Sequence, residues 1–107
     1  MPDVSDETPI ATEVIYEDDE VRIWNQLIEP GKTLGRHTHR NDYILVTVRG
    51  EGPIDVRFLD GTGGPLGEEI VLRTRRGDAT YVPKGHTETA RNEGAEYRAI
   101  LVELLRD

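Results

Sequence analysis

At 107 residues the chain has room for one domain with one core, and 36% hydrophobic against 32% charged residues suits a compact fold with a well-solvated exterior. Lys and Arg number 13 and Asp and Glu 21, and the resulting net charge of −8 argues against nucleic acid or an anionic membrane surface as a partner. There is no cysteine, so disulfides and thiolate metal sites are excluded and any metal must be held by nitrogen and oxygen.

Residues 1–9 combine two prolines and three acids with few apolar groups and are expected to form a flexible acidic tail, leaving 10–107 as a single domain. That tail lacks the basic and apolar regions of a signal peptide, and no apolar run approaches the roughly 18 residues that span a bilayer, so a cytoplasmic protein is expected. From Thr12 onward short apolar stretches alternate with turn signals, without a sustained helical period. Residues 12–16 and 21–28 read as strands separated by the acidic turn Glu17-Asp18-Asp19-Glu20. After the turn Glu29-Pro30-Gly31, residues 33–39 form a strand bearing His37 and His39. Residues 43–48 are a largely β-branched run that Gly50-Glu51-Gly52-Pro53 ends sharply. In 54–58, Ile54, Val56 and Phe58 alternate with Asp55 and Arg57, the pattern of a half-buried strand. The stretch 60–67 has four glycines and a proline and is expected to be a long hairpin loop. Segments 69–74, 79–82, 88–92 and 97–105 supply the remaining strands. The last of these has a helical alternative over 101–105, but Tyr97, Arg98, Ile100 and Val102 favour a closing strand. About nine short strands at this spacing predict an all-β sandwich or barrel.

Along 43–48, Tyr43, Leu45 and Thr47 share one face and Ile44, Val46 and Val48 the other. If the first face looks inward, the apolar second row needs cover, either from a second subunit in a homodimer or from the chain's own N-terminal strands.

A His-x-His pair on an extended strand projects both imidazoles to one face, which is how a strand begins a transition-metal site. Gly31, His37, His39 and Gly50 have the spacing of the first motif of the cupin superfamily, G-x5-H-x-H-x3,4-E-x6-G. Gly77, Pro83, Gly85 and Asn92 have that of its second, G-x5-P-x-G-x2-H-x3-N. On these eight framework positions, spread over most of the folded chain, the sequence resembles that superfamily. The resemblance implies an all-β, cupin-type jelly-roll β-barrel whose two motifs lie on neighbouring strands, with a metal held by three histidines and a glutamate near the barrel mouth. The chain departs at two ligand positions: Tyr43 stands where the glutamate is expected, and Glu88 where the third histidine is expected.

His37, His39 and Glu88 would again carry one carboxylate charge, and two imidazoles with a carboxylate match the facial triad that binds iron(II) and leaves positions open. The expected cofactor is therefore a divalent transition metal: iron, manganese, nickel, zinc or copper. Each residue also has a plainer role open to it. The histidines fit as polar barrel-lining residues of a lost site, and Glu88 as a solvated strand residue. Tyr43, a poor neutral ligand, fits as a hydrogen-bond donor to substrate or metal-bound water, or as a core residue. Asp42 becomes a ligand only if a bulge rotates it inward. His86, just after Gly85, is expected at the rim, as an acid/base group, a replacement ligand or a bystander. Arg73, Arg75 and Arg76 would attract an anionic substrate or simply form a solvated turn, and Trp24 would line the pocket or pack in the core. The 61–67 loop lacks the ending of a phosphate-binding loop, and no nucleophile elbow is present.

The function expected from the resemblance is a small metal-dependent enzyme of the dioxygenase, isomerase or lyase class, with Tyr43 and His86 as its catalytic side chains and a small organic substrate. The alternative is a non-catalytic ligand-binding or sensor domain, with the metal site kept or lost.

Overall fold

A computed structural model of the protein describes residues 8–105. Most of the expected tail therefore lies outside the described residues; at its end, Thr8 donates its backbone N–H to Arg36 O at 2.7 Å. Nine strands follow in chain order: β1 (Glu13–Glu17), β2 (Val21–Ile28), β3 (Thr33–Thr38), β4 (Tyr43–Arg49), β5 (Ile54–Phe58), β6 (Glu69–Leu72), β7 (Ala79–Val82), β8 (Thr87–Asn92) and β9 (Tyr97–Leu104). The glycine-rich 60–67 loop contains one turn of 3-10 helix, Gly64–Leu66. Residues 101–104 are strand, as their β-branched neighbours favoured.

The strands pair antiparallel into a five-stranded sheet, β1-β2-β9-β4-β7, and a four-stranded sheet, β3-β8-β5-β6. Their inward faces enclose a core of Ile28, Ile54, Val56, Phe58, Ala90, Tyr97 and Ala99, against which Leu34, Leu45, Ile70 and Leu72 pack. β9 shows the cause most directly, since buried and half-buried residues alternate along its whole length. This is the expected jelly roll, with one correction. The two sheets share no ladder, so they do not close into a hydrogen-bonded barrel, and the edge strands β6 and β7 leave one side open.

Several motif positions explain themselves here. A Cβ on Gly50 would stand 2.6 Å from Glu96 O, and its φ of 94° is a conformation other residues avoid. Asn92 is fully buried and ties three segments together: its Nδ2 donates to Ile28 O at 2.8 Å and Ala95 O at 2.7 Å, while Oδ1 accepts from Gly94 N at 2.9 Å. It therefore joins the β8–β9 turn to β2 and leaves none of its amide groups idle.

Tyr43 and Thr47 are buried and Ile44, Val46 and Val48 half-buried, as the alternation requires. The N-terminal strands do not cover that second row. They extend the same sheet beyond β9, so Ile23, Val102, Ile44 and Tyr81 form one row across its outer face. Among the described residues no helix is long and apolar enough to cross a membrane.

Candidate metal centre

The site is built where β3 meets β8. His37 pairs with Glu88 across the ladder, and directly paired residues share a face, so imidazole and carboxylate point inward together. Leu34 also points inward, packed on the core. An odd step of three residues between two inward side chains is possible only because the register shifts between Leu34 and His37. That bulge at Gly35-Arg36 re-aims the strand so that the histidines reach the interior.

The bulge has a second effect. Gly35 O lies 2.7 Å from His37 Nδ1, and since a carbonyl only accepts, Nδ1 carries the proton and the neutral ring keeps its lone pair on Nε2. Just past β3, His39 is fixed by two backbone bonds to the β7–β8 turn: its N–H donates to His86 O at 2.9 Å, and its O accepts from Gly85 N at 2.8 Å. Gly85, at φ 114°, permits the tight reversal that brings the turn there.

His37 Nε2 stands 3.4 Å and His39 Nε2 3.1 Å from the same Glu88 Oε1. His37 and His39 are 1% and 2% exposed and Glu88 9%. One ligand atom from each lies within 4.8 Å of the others, close enough for a single ion. Burial pushes the Glu88 carboxyl up, but the two imidazoles, when they carry protons on Nε2, outweigh it through hydrogen bonds and charge and hold the pKa at about 2. The donor set fits a divalent ion: two imidazole nitrogens, which lose any Nε2 proton on binding a metal, and an ionised carboxylate converge in a buried site with no permanent cation among them. One piece of support is missing, because buried His39 Nδ1 has no hydrogen-bond partner among the described residues.

Tyr43 stacks on His39, with ring centroids 4.3 Å apart and planes at 26°. Burial first, and then the charges of Glu88 and Tyr97, push its hydroxyl up, so the side chain stays a neutral phenol rather than an anionic ligand. Asp42 is not in the cluster. No bulge turns it inward; its carboxylate accepts from Tyr81 OH and from Lys84 N at 2.8 Å, capping the β7–β8 turn. His86 lies outside the three-ligand group too, since β8 begins at Thr87; it sits half-buried at the rim with its ring 5.0 Å from that of Phe58.

The cluster opens onto a cavity of about 350 Å³ between the two sheets. Tyr43, His86, Glu88 and His39 line one end, and Arg73 reaches the exposed rim. Arg75 and Arg76 form the solvated turn before Gly77. Trp24 does not line the cavity. It donates its indole N–H to Glu103 Oε1 at 3.0 Å, within a buried network that the sequence reading missed. Gln26, Thr47 and Tyr97, which line the far end of the cavity, were missed as well. The available signal was a polar residue in the inward phase of an otherwise apolar strand: Gln26 between Trp24 and Ile28, Glu103 after Tyr97, Ala99 and Leu101.

No protein-family model matches the chain, and no curated protein does. Solved structures do match. A cupin domain from Bordetella pertussis Tohama I superposes with a TM-score of 0.74 at 20% identity, over 86% of this chain and 88% of that one. An RmlC-like cupin family protein with a double-stranded β-helix fold, from Methanocaldococcus jannaschii, gives 0.66 at 17% identity over 86% and 76%. An RmlC-like cupin protein from Desulfovibrio desulfuricans gives 0.63 at 18% identity over 87% and 79%. These similarities show the fold: the chain is a cupin-type jelly roll.

Proposed function

We propose that this cupin-fold chain is a metal-dependent enzyme acting on a small organic substrate held in the cavity between its sheets. The observation that carries the proposal is the buried convergence of His37, His39 and Glu88 within 4.8 Å, beside a cavity of about 350 Å³. These three side chains would hold a divalent transition metal, which supplies Lewis-acid or oxygen-binding chemistry when present. Tyr43 offers a neutral O–H to a substrate lying against the cluster, since no described residue hydrogen-bonds that hydroxyl. His86 stands at the rim, where an imidazole takes or gives a proton near neutral pH. The apolar walls keep water from the bound molecule.

The test begins with protein purified without an affinity tag, its metal measured by elemental analysis beside His37→Ala and Glu88→Ala variants. Near-stoichiometric metal in the wild type and loss in both variants is the expected result. A wild type that takes up no iron(II), manganese or nickel sinks the proposal. Oxygen consumption across a substrate panel then separates turnover from binding. A sensor without turnover is the second possibility, and the unpartnered His39 Nδ1 favours it, because the outer hydrogen bond that tunes a catalytic ligand is missing.

For assembly we propose a homodimer, supported by the half-buried apolar row on the outer face of the five-stranded sheet. Sedimentation equilibrium should return twice the 12.1 kDa chain mass, and Val46→Glu should return the chain mass itself.

A further inference from the structure

The end of the cavity farthest from the metal ligands has polar groups of its own. Gln26 is 7% exposed and lines the cavity, yet its side-chain amide makes no hydrogen bond with any described residue. Nor is that amide sealed in packed protein, where the unpartnered atoms are Arg36 Nε, His39 Nδ1 and Asp55 Oδ1. It therefore borders the cavity space itself.

Its neighbours are set by sheet register. Gln26 on β2 pairs with Ala99 on β9, and Ala99 pairs with Thr47 on β4, so the three form one inward row. Gln26 and Thr47 stand two strands apart, about 10 Å between backbones. Between them Ala99 raises only a methyl group and leaves room for a ligand atom. Thr47 and Tyr97 are each 3% exposed, and the Tyr97 hydroxyl lies against that of Thr47. Four residues of β4 separate Thr47 from Tyr43, about 13 Å along the strand.

We propose that Gln26, with Thr47 and Tyr97, anchors the inner end of the bound molecule. The ligand class is a small, largely apolar compound whose inner end bears an uncharged hydrogen-bonding group such as a carboxamide, ketone or alcohol. An amide that faces the cavity with no protein partner has its donor and acceptor free for a bound molecule, and a ligand that both donates and accepts completes it. The inner end is uncharged because no buried charge there balances one. Arg73, next to Leu72, and Asp78, whose backbone O accepts from Thr47 N at 2.9 Å, stand on that side of the cavity but are exposed at its rim, and His39, His86 and Glu88 belong to the opposite end. A carboxylate seated on Gln26 would lie among Ile28, Ile54, Leu101 and the two hydroxyls with no buried countercharge. This inference rests on the proposal that the cavity takes a small organic molecule, but it does not require the metal.

The experiment uses chelator-treated, ¹⁵N-labelled full-length protein and three probes of similar size: phenylacetamide, phenylacetate and propylbenzene. Phenylacetamide should shift the Gln26 side-chain amide resonance and bind about tenfold more tightly than phenylacetate. Gln26→Leu should lower the phenylacetamide affinity about tenfold and leave that of propylbenzene unchanged. Thr47→Val, an independent variant on the same row, should act in the same direction. Phenylacetate binding as tightly as the amide, equal loss of all three probes in both variants, or no binding of any probe to the wild type overturns the inference. Iron(II) uptake by the wild type is measured separately. Uptake without probe discrimination removes this inference alone, and discrimination without uptake removes only the metal-dependent activity.

Discussion

Two buried glutamates point inward from opposite sheets, and their surroundings assign them opposite roles. Glu103, on β9, is 4% exposed and meets three permanent donors. Its Oε1 accepts from Arg22 Nη1 at 3.1 Å and Trp24 Nε1 at 3.0 Å, and its Oε2 from Asn41 Nδ2 at 2.8 Å. Glu88, on β8, is 9% exposed and meets only two imidazole nitrogens, one of which the Gly35 carbonyl leaves as a bare lone pair in the neutral ring. A guanidinium, an indole and an amide cannot withdraw their protons at neutral pH, so Glu103 is complete without help. Glu88 and its imidazoles together lack a cation. Burial is thus a poor guide to function at these two positions; the inventory of donors around each carboxylate separates structural from ligating.

The largest expected effect follows from that contrast. Glu88→Ala should reduce bound metal from near one equivalent to below about a tenth, because two imidazoles alone do not make a closed site. Its thermal midpoint without metal should change little. Glu103→Ala should do the reverse, keeping the metal and costing about 2 to 3 kcal/mol, since it strands Arg22, Trp24 and Asn41. At this chain length that is a drop of roughly 10 °C or more in Tm. If calorimetry and elemental analysis find both variants losing metal and stability together, the two carboxylates are not separable and the contrast fails.

How much of this was legible before the structure depends on whether a residue acts through alternation or through register. The strands, the inward phase of His37, His39 and Glu88, and the framework glycines follow from period-two patterning and turn chemistry. The Gly35-Arg36 bulge does so only in part: Gly35 inside a strand marks where one can form, but whether the pairing slips there is decided by the partner strand. The open edge between β6 and β7 was hidden for the same reason: closure is a property of two sheets, not of any strand in them. The Glu103 network joins β2, the β3–β4 connection and β9, so its partners lie up to 81 positions apart. Only the inward phase of Glu103 and Gln26 was there to be read.

Gln26 extends the comparison to a neutral group, buried like Glu103 but as incomplete as Glu88. Gln26→Leu should therefore raise the stability of the ligand-free protein by about 1 kcal/mol, because an unpaired amide is replaced by a side chain of similar size with nothing to satisfy. Chemical denaturation checks it. A loss of stability instead would mean that the amide is already satisfied, and would return it to the class of Glu103.

Asp42 supplies the smallest effect and the cleanest sign. It is a completed carboxylate like Glu103, but at the surface: bonds from Tyr81 OH and then Lys84 N hold its pKa below the ordinary value of 3.8. A carboxyl whose folded-state pKa is depressed favours the folded state above its unfolded value, and that contribution fades as pH falls through the folded one. Asp42→Asn keeps an oxygen able to accept from Lys84 N and removes only the charge. The melting difference between wild type and variant should accordingly be present at pH 7, shrink as pH drops below 3.8, and vanish once the wild-type carboxyl is protonated. A difference that persists undiminished in acid would mean that shape rather than charge holds the β7–β8 turn, and the same turn positions His39 through Gly85 and His86.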